Sequence, residues 1–164
     1  MAFEGYIKLD GIPGESTDDK HKDWIEINGF QMGLGQASSA SHSTAGGSAA
    51  GKVNFQDISI THLVDKASAK FFELCAKGTH IKDGTIELCR AGGEKFKYLE
   101  IKLENILITS MTENGDPVAG VEFPTETITL NFGKIKFTYF KQNEKGGGAG
   151  QVAFGWDLTI NKSI

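Results

Sequence analysis

The chain has 164 residues and a formal net charge of -4, with 17 Lys and Arg against 21 Asp and Glu. That balance excludes a sequence-independent grip on nucleic acid or anionic lipid, both of which need clustered cations, and Arg90 is the only arginine. The length and a hydrophobic content of 39% fit one domain, 1–164, large enough to bury a real core.

The opening MAFEGYIKLD lacks the basic flank and apolar run of a cleaved signal peptide, and the longest apolar runs are strand-sized, so no direct membrane insertion is expected. Within it, Phe3, Ile7 and Leu9 alternate with Glu4 and Lys8, the pattern of a half-buried strand. The following GIPGESTDDKHKD is charged and broken by Pro13 between glycines, which reads as an exposed loop. Strand character resumes in WIEINGFQM.

The stretch from Gly33 to Lys52, rich in Gly, Ser and Ala, is too small and too polar to pack a core. It reads as a long extended loop, about 33–52, that is either mobile or ordered by a partner. KVNFQDISITH after it is β-prone, but Val53 and Phe55 share one parity and Ile58 and Ile60 the other. Side chains alternate with period two, so the switch at Gln56 and Asp57 predicts a bulge or a strand that leaves one sheet for another.

One short helix is expected over about 65–77, with Asp65 as its N-cap, Ala67, Phe71, Leu74 and Cys75 on the apolar face, and Gly78 as its stop. Three turns are not stable alone in water, so the helix must dock through Phe71 and Leu74. Next come an Asp83-Gly84 turn into TIELCR, a Gly-containing turn at RAGGEK, and the long run FKYLEIKLENILITS. In that run Leu99, Ile101, Leu103 and Leu107 share one parity. After a polar loop, ETITLNFGKIKFTYFKQ changes phase at Gly133.

A flexible NEKGGGAG loop leads to QVAFGWDLTI, with Val152, Phe154, Trp156, Leu158 and Ile160 on one face. Many short alternating runs with turns between them indicate a mainly β chain: an antiparallel sandwich or barrel of two sheets carrying one short α-helix.

Chemistry is sparse. Gly46 to Lys52 matches GxxxxGK, but Val53 replaces the magnesium-binding hydroxyl, and the string opens into a strand where a phosphate loop needs a helix N-terminus. His21, His42, His62 and His80 lie in separate elements without zinc-ligand spacing, and each is expected to be a surface or loop residue. Cys75 and Cys89 fit buried thiols in a reducing compartment. No catalytic centre, metal site or cofactor is expected, and the chain does not read as an enzyme.

AGKVNFQDISITHLVDKAS, the Gly/Ser/His loop before it, the turn at Ala91 to Gly93, ETITLNF at Glu126 to Phe132, and the terminal FGWDL resemble the Hcp family, the hemolysin-coregulated tube proteins of type VI secretion systems. The likeness runs through essentially the whole chain, including FEGYIKLDGIPGES. It implies a β protomer that closes into hexameric rings, which stack into a hollow tube in a Gram-negative bacterium. A contractile sheath expels that tube, tipped by a spike protein, from the cytoplasm to the medium or a target cell, and small effector proteins ride in its lumen.

By the same resemblance the extended loop is a ring-stacking arm, with Ser38, Ser39, His42, Ser43 and Lys52 as its candidate contacts. Gln31 becomes a candidate effector contact on the lumen wall, beside the plainer reading of a solvated strand residue. Two alternatives share the composition: a phage-like tail-tube protein, and a free secreted β-sandwich using Trp24 and Trp156 as ligand platforms.

Overall fold

The computed structural model describes residues 3–38, 50–92, 94–115 and 122–164. Its strands are β1 (Phe3–Leu9), β2 (Ile25–Ile27), β3 (Gly29–Gln31), β4 (Leu34–Ser38), β5 (Ala50–Phe55), β6 (Ile58–Leu63), β7 (Ile81–Arg90), β8 (Lys97–Asn114), β9 (Thr125–Asn131), β10 (Lys134–Gln142), β11 (Gly148–Asp157) and β12 (Lys162–Ser163); the helix α1 is Ser68–Lys77. All the registered pairings are antiparallel.

Two layers share one strand. The first runs β12-β11-β10-β8-β7-β1-β2, and the second runs β3-β6-β9-β8, so β8 belongs to both. The mainly β, two-sheet reading holds, as an open wall in which no barrel closes. Between the layers lie Ile7, Ile25, Ile58, Ile60, Ile86, Ile101, Ile106, Ile128, Leu130 and Ile135, each 1% exposed or less. The branched side chains that favour the pleated backbone are thus the ones that fill the core.

The parity switch after Phe55 is a change of sheet. β5 pairs with β4 in a separate two-stranded ribbon, whereas β6 pairs with β3 and β9. Gly133 likewise separates the inward set Ile128, Leu130 and Phe132 from Ile135.

Strand β8 makes the same change without a glycine. Leu99, Ile101 and Leu103 are buried in its first half and Ile106 and Ile108 in its second, so Leu107 is not on the face of Leu99 as the alternation suggested. The hinge is Asn105, held at φ 54. Asn tolerates the left-handed region better than a branched residue does. Asn105→Val is expected to lower stability by about 1–2 kcal/mol while Asn105→Gly stays close to wild type. Equal urea midpoints for the two variants would show that the backbone there is not constrained.

Other expectations are corrected. Asp83 and Gly84 form no turn but lie inside β7, where Gly84 lets strands approach: a Cβ there would sit 2.6 Å from Leu9 Cδ2 and 2.9 Å from Ile106 Cδ1. The helix begins at Ser68, not near Asp65. Asp65 instead accepts the Ala67 backbone N–H at 2.8 Å, an Asx turn that leads the chain in. Gly78 does end it, at φ 63. Phe71 and Leu74 are its buried anchors.

The NEKGGGAG segment is a tight turn running into strand. Asn143 Oδ1 accepts the N–H groups of Lys145 and Gly147 at 3.0 and 2.8 Å, and β11 begins at Gly148. The apolar face of the last strand does not continue into the core throughout. Trp156 and Leu158 pack against the core, but Val152 is 74% and Ile160 60% exposed. Cys75 and Cys89 are free thiols, Cys89 buried and Cys75 half-buried.

Candidate functional site

The second sheet turns Ile58, Ile60, Ile128 and Leu130 inward, so its opposite face carries the alternate residues. Register aligns them in rows. Gln31 stands opposite Ser59, Ser59 opposite Thr129, and Thr129 opposite Ser110, a line across all four strands. Beside it run Gly29, Thr61, Thr127 and Thr112. These rows contain hydroxyls and one amide, and neither Lys nor Arg.

A bulge between Ile108 and Ser110 brings Thr109 onto the same hydrogen-bonded surface. The hydroxyl of Thr109 lies 2.8 Å from that of Thr129, which lies 2.7 Å from that of Ser110. Asp57 closes the group: Thr109 Oγ1 donates to its Oδ2 at 2.6 Å and Asn131 Nδ2 to its Oδ1 at 2.9 Å. Gln31 is exposed at the rim of this wall, on β3.

The sheet has two open sides. β3 is one outer strand and the second half of β8 the other, because residues 107–114 pair with β9 alone among the described strands. Unpaired N–H and C=O groups on both sides are a template for another strand.

The extended segment starts and ends as a β-ribbon. Leu34 pairs with Phe55, Gly35 with Asn54, Gln36 with Val53 and Ser38 with Ala50, and Gln36 Nε2 donates to the Gly51 carbonyl. At its base Gln56 N donates to Gly33 O at 2.9 Å, and the Phe55 ring meets Phe132 edge-on at 6.0 Å and stacks on Phe154 at 6.4 Å. Lys52 is exposed on β5 and Ser38 ends β4. Ser39, His42 and Ser43 lie outside the described residues, as do Gly46 to Ala49 of the GxxxxGK string; its Lys52 is in a strand, with no helix for phosphate.

Two polar clusters went unread in the sequence. His62, expected at the surface, is fully buried, with Nε2 2.7 Å from Glu126 Oε2. Ser68 Oγ donates to the same carboxylate oxygen at 2.8 Å. Neither His62 ring nitrogen makes a formed hydrogen bond, and Glu126 Oε1 has no donor. A β6 strand, a β9 strand and the first residue of α1 meet at this point.

His21 is also buried, in the segment expected to be an exposed loop. Its ring stacks on Tyr6 at 4.1 Å and meets Trp24 edge-on at 4.9 Å, while Asp18 and Glu87 carboxylates lie 2.7 and 2.8 Å from its two nitrogens. Lys95 binds Asp18, Glu4 and Tyr6. The Lys95 ammonium, helped by His21, holds the Asp18 carboxyl down at about 2, and the same bonds raise the Lys95 pKa. Asp18 and Trp24 lie three residues either side of His21, but no spacing rule finds Tyr6, Glu87 and Lys95, which come from segments distant in sequence. They fasten the loop over the first sheet, and no group of three or more metal-binding side chains occurs among the described residues.

An open two-layer antiparallel β domain with one docked helix, a projecting ribbon and a neutral hydroxyl wall defines a building-block protein. The family profile described as Type VI secretion system effector, Hcp, matches residues 6–139, and the chain belongs to that family. It is 35% identical to Protein hcp1 of Pseudomonas aeruginosa over 98% of both chains.

Among solved structures it is similar to a type six secretion system protein, with a TM-score of 0.93 and 34% identity covering 99% of this chain and 100% of the other. Hcp1 from Salmonella typhimurium gives a TM-score of 0.82 and 29% identity, with full coverage of both. The chain is thus a type VI secretion tube protein. No helix of the described residues is long and apolar enough to cross a membrane.

Proposed function

We propose that protomers join side to side into hexameric rings, that the hydroxyl face of β3, β6, β9 and β8 forms the lumen wall with Gln31 on it, and that the β4–β5 ribbon carries the arm that engages the next ring. The observation that carries this reading is the four-stranded sheet: neutral and polar on its outer face, with an unpaired strand at each side. A head-to-tail contact between unlike edges closes into a ring when its rotation allows. A hydrated wall of hydroxyls and amides suits cargo that must slide and leave.

The tube then acts mechanically. A contractile sheath drives it, a spike protein tips it, small effectors occupy its lumen, and expulsion is its route from the cytoplasm. No catalysis by the chain is required. The free ligand-binding reading gains nothing from the two indoles, because Trp24 serves the His21 cluster and Trp156 stacks beside Phe154.

Light scattering on the chromatographed protein, with negative-stain imaging, tests the proposal: the expected result is a mass of six protomers and ring-shaped particles. A strict monomer at micromolar concentration would overturn it. Replacing Gly35 to Ala50 by a short turn is expected to keep the ring mass and abolish stacked tubes. Lys52→Glu should weaken stacking in the same direction. Unimpaired tubes from the shortened chain would refute the arm.

A further inference from the structure

The lumen wall proposed above is neutral except at one point. In the two rows of the four-stranded face every side chain is Gln, Ser or Thr, and the glycine adds none. The carboxylate of Asp57 stands at their end, immediately before β6 and on the parity of Ser59 and Thr61.

Two strands hold it there, β8 through the Thr109 hydroxyl and β9 through the Asn131 amide. Both donors are neutral, and none of the salt bridges among the described residues involves Asp57. Its charge is positioned without being neutralised. A fixed, half-buried carboxylate beside two rows that carry neither Lys nor Arg favours a positive partner and disfavours a negative one.

We infer that Asp57 sets a charge preference on this face, selecting small proteins or peptide segments that present Lys or Arg on an otherwise polar surface. The inference rests on the ring reading, in which one Asp57 per protomer repeats around the lumen as a band of carboxylates. Because water and salt reach the face, each contact is weak and screened. Several together discriminate cargo by charge without trapping it. Hydroxyl rows supply adaptable hydrogen bonds to any polar cargo, so the carboxylate is the one element of the wall that distinguishes sign.

The test uses purified wild-type protein and three fluorescently labelled peptides of equal length: oligolysine, oligoglutamate and a Ser/Gly repeat. Anisotropy at low and high salt is read beside the light-scattering mass of each variant. Oligolysine is expected to bind best and to release with salt, and Asp57→Asn, which keeps the side-chain shape, should weaken it about fivefold or more at low salt. Gln31→Glu, which adds a carboxylate to the same face, should strengthen it.

Asp10→Asn, an exposed change beyond β1 in the other sheet, should leave binding unchanged. Rings of normal mass whose oligolysine affinity is unaffected by Asp57→Asn, or falls equally with Asp10→Asn, would overturn the inference and leave the ring reading standing. A monomeric wild type would overturn both.

Discussion

His62→Leu is expected to lower stability by about 3–5 kcal/mol, because it removes the imidazole that faces a buried carboxyl group and leaves that group without it. Glu126 is fully buried, its Oε1 already lacks a donor, and Ser68 alone would then serve Oε2. The double variant His62→Leu/Glu126→Met should recover most of that loss, since an apolar pair of similar volume avoids the desolvation that the native pair bears.

Urea unfolding followed by tryptophan fluorescence measures both variants, at a protein concentration where each has the same oligomeric mass, because assembly itself raises apparent stability. A single variant within about 1 kcal/mol of wild type would show that the pair contributes little, and a double variant no better than the single would show that packing, not charge, was lost. A third outcome would recast what the cluster does. If the double variant is stable yet forms rings poorly, the pair serves the placement of α1 against β6 and β9 more than the free energy of the fold.

What could be read in advance follows from where the information lies. Alternation along a strand is local, so the core residues of β1, β6, β9 and β10 stood out, as did the change of sheet at Gln56 and Asp57. Gly78 announced the helix end because glycine supplies a left-handed conformation that other residues resist, and Gly133 marked the phase shift by interrupting the alternation. Asn105 announced only an imperfection in the alternation: in LENIL it has no neighbour that marks a positive φ, so Leu107 was still assigned the parity of Leu99.

Burial of His21 and His62 was invisible for a different reason. A polar residue is accepted inside only when a partner meets it, and those partners, Glu87 and Glu126, arrive on strands far along the chain. Among site residues, Gln31 was legible as a polar side chain between Phe30 and Met32. The rows that extend it across Ser59, Thr129 and Ser110 depend on inter-strand register, which no single segment contains. Family resemblance supplied the expectation of an assembly, and the face and edges proposed for it are drawn from the register of the four-stranded sheet.

The second large effect is expected at Phe71. Its side chain has no exposure, it anchors a helix of 10 residues, and its ring meets the His62 ring at 5.7 Å with the planes 78° apart. Phe71→Ala removes the transfer free energy of a full aromatic ring and leaves a cavity, at a cost of about 3–5 kcal/mol. Because a helix of this length has little stability of its own, its loss of grip should appear as faster amide exchange throughout α1.

The aromatic edge and the polar cluster occupy one site, so their effects should not add. In a double-mutant cycle with His62→Leu the combined loss is expected to fall short of the sum by about 1 kcal/mol or more. Strict additivity would mean that Phe71 seats the helix independently of the His62–Glu126 pair, and that the polar contact through Ser68 positions only the first turn. A shortfall would instead make ring, carboxylate and hydroxyl a single fastening by which one helix is held to a protein otherwise built of sheet.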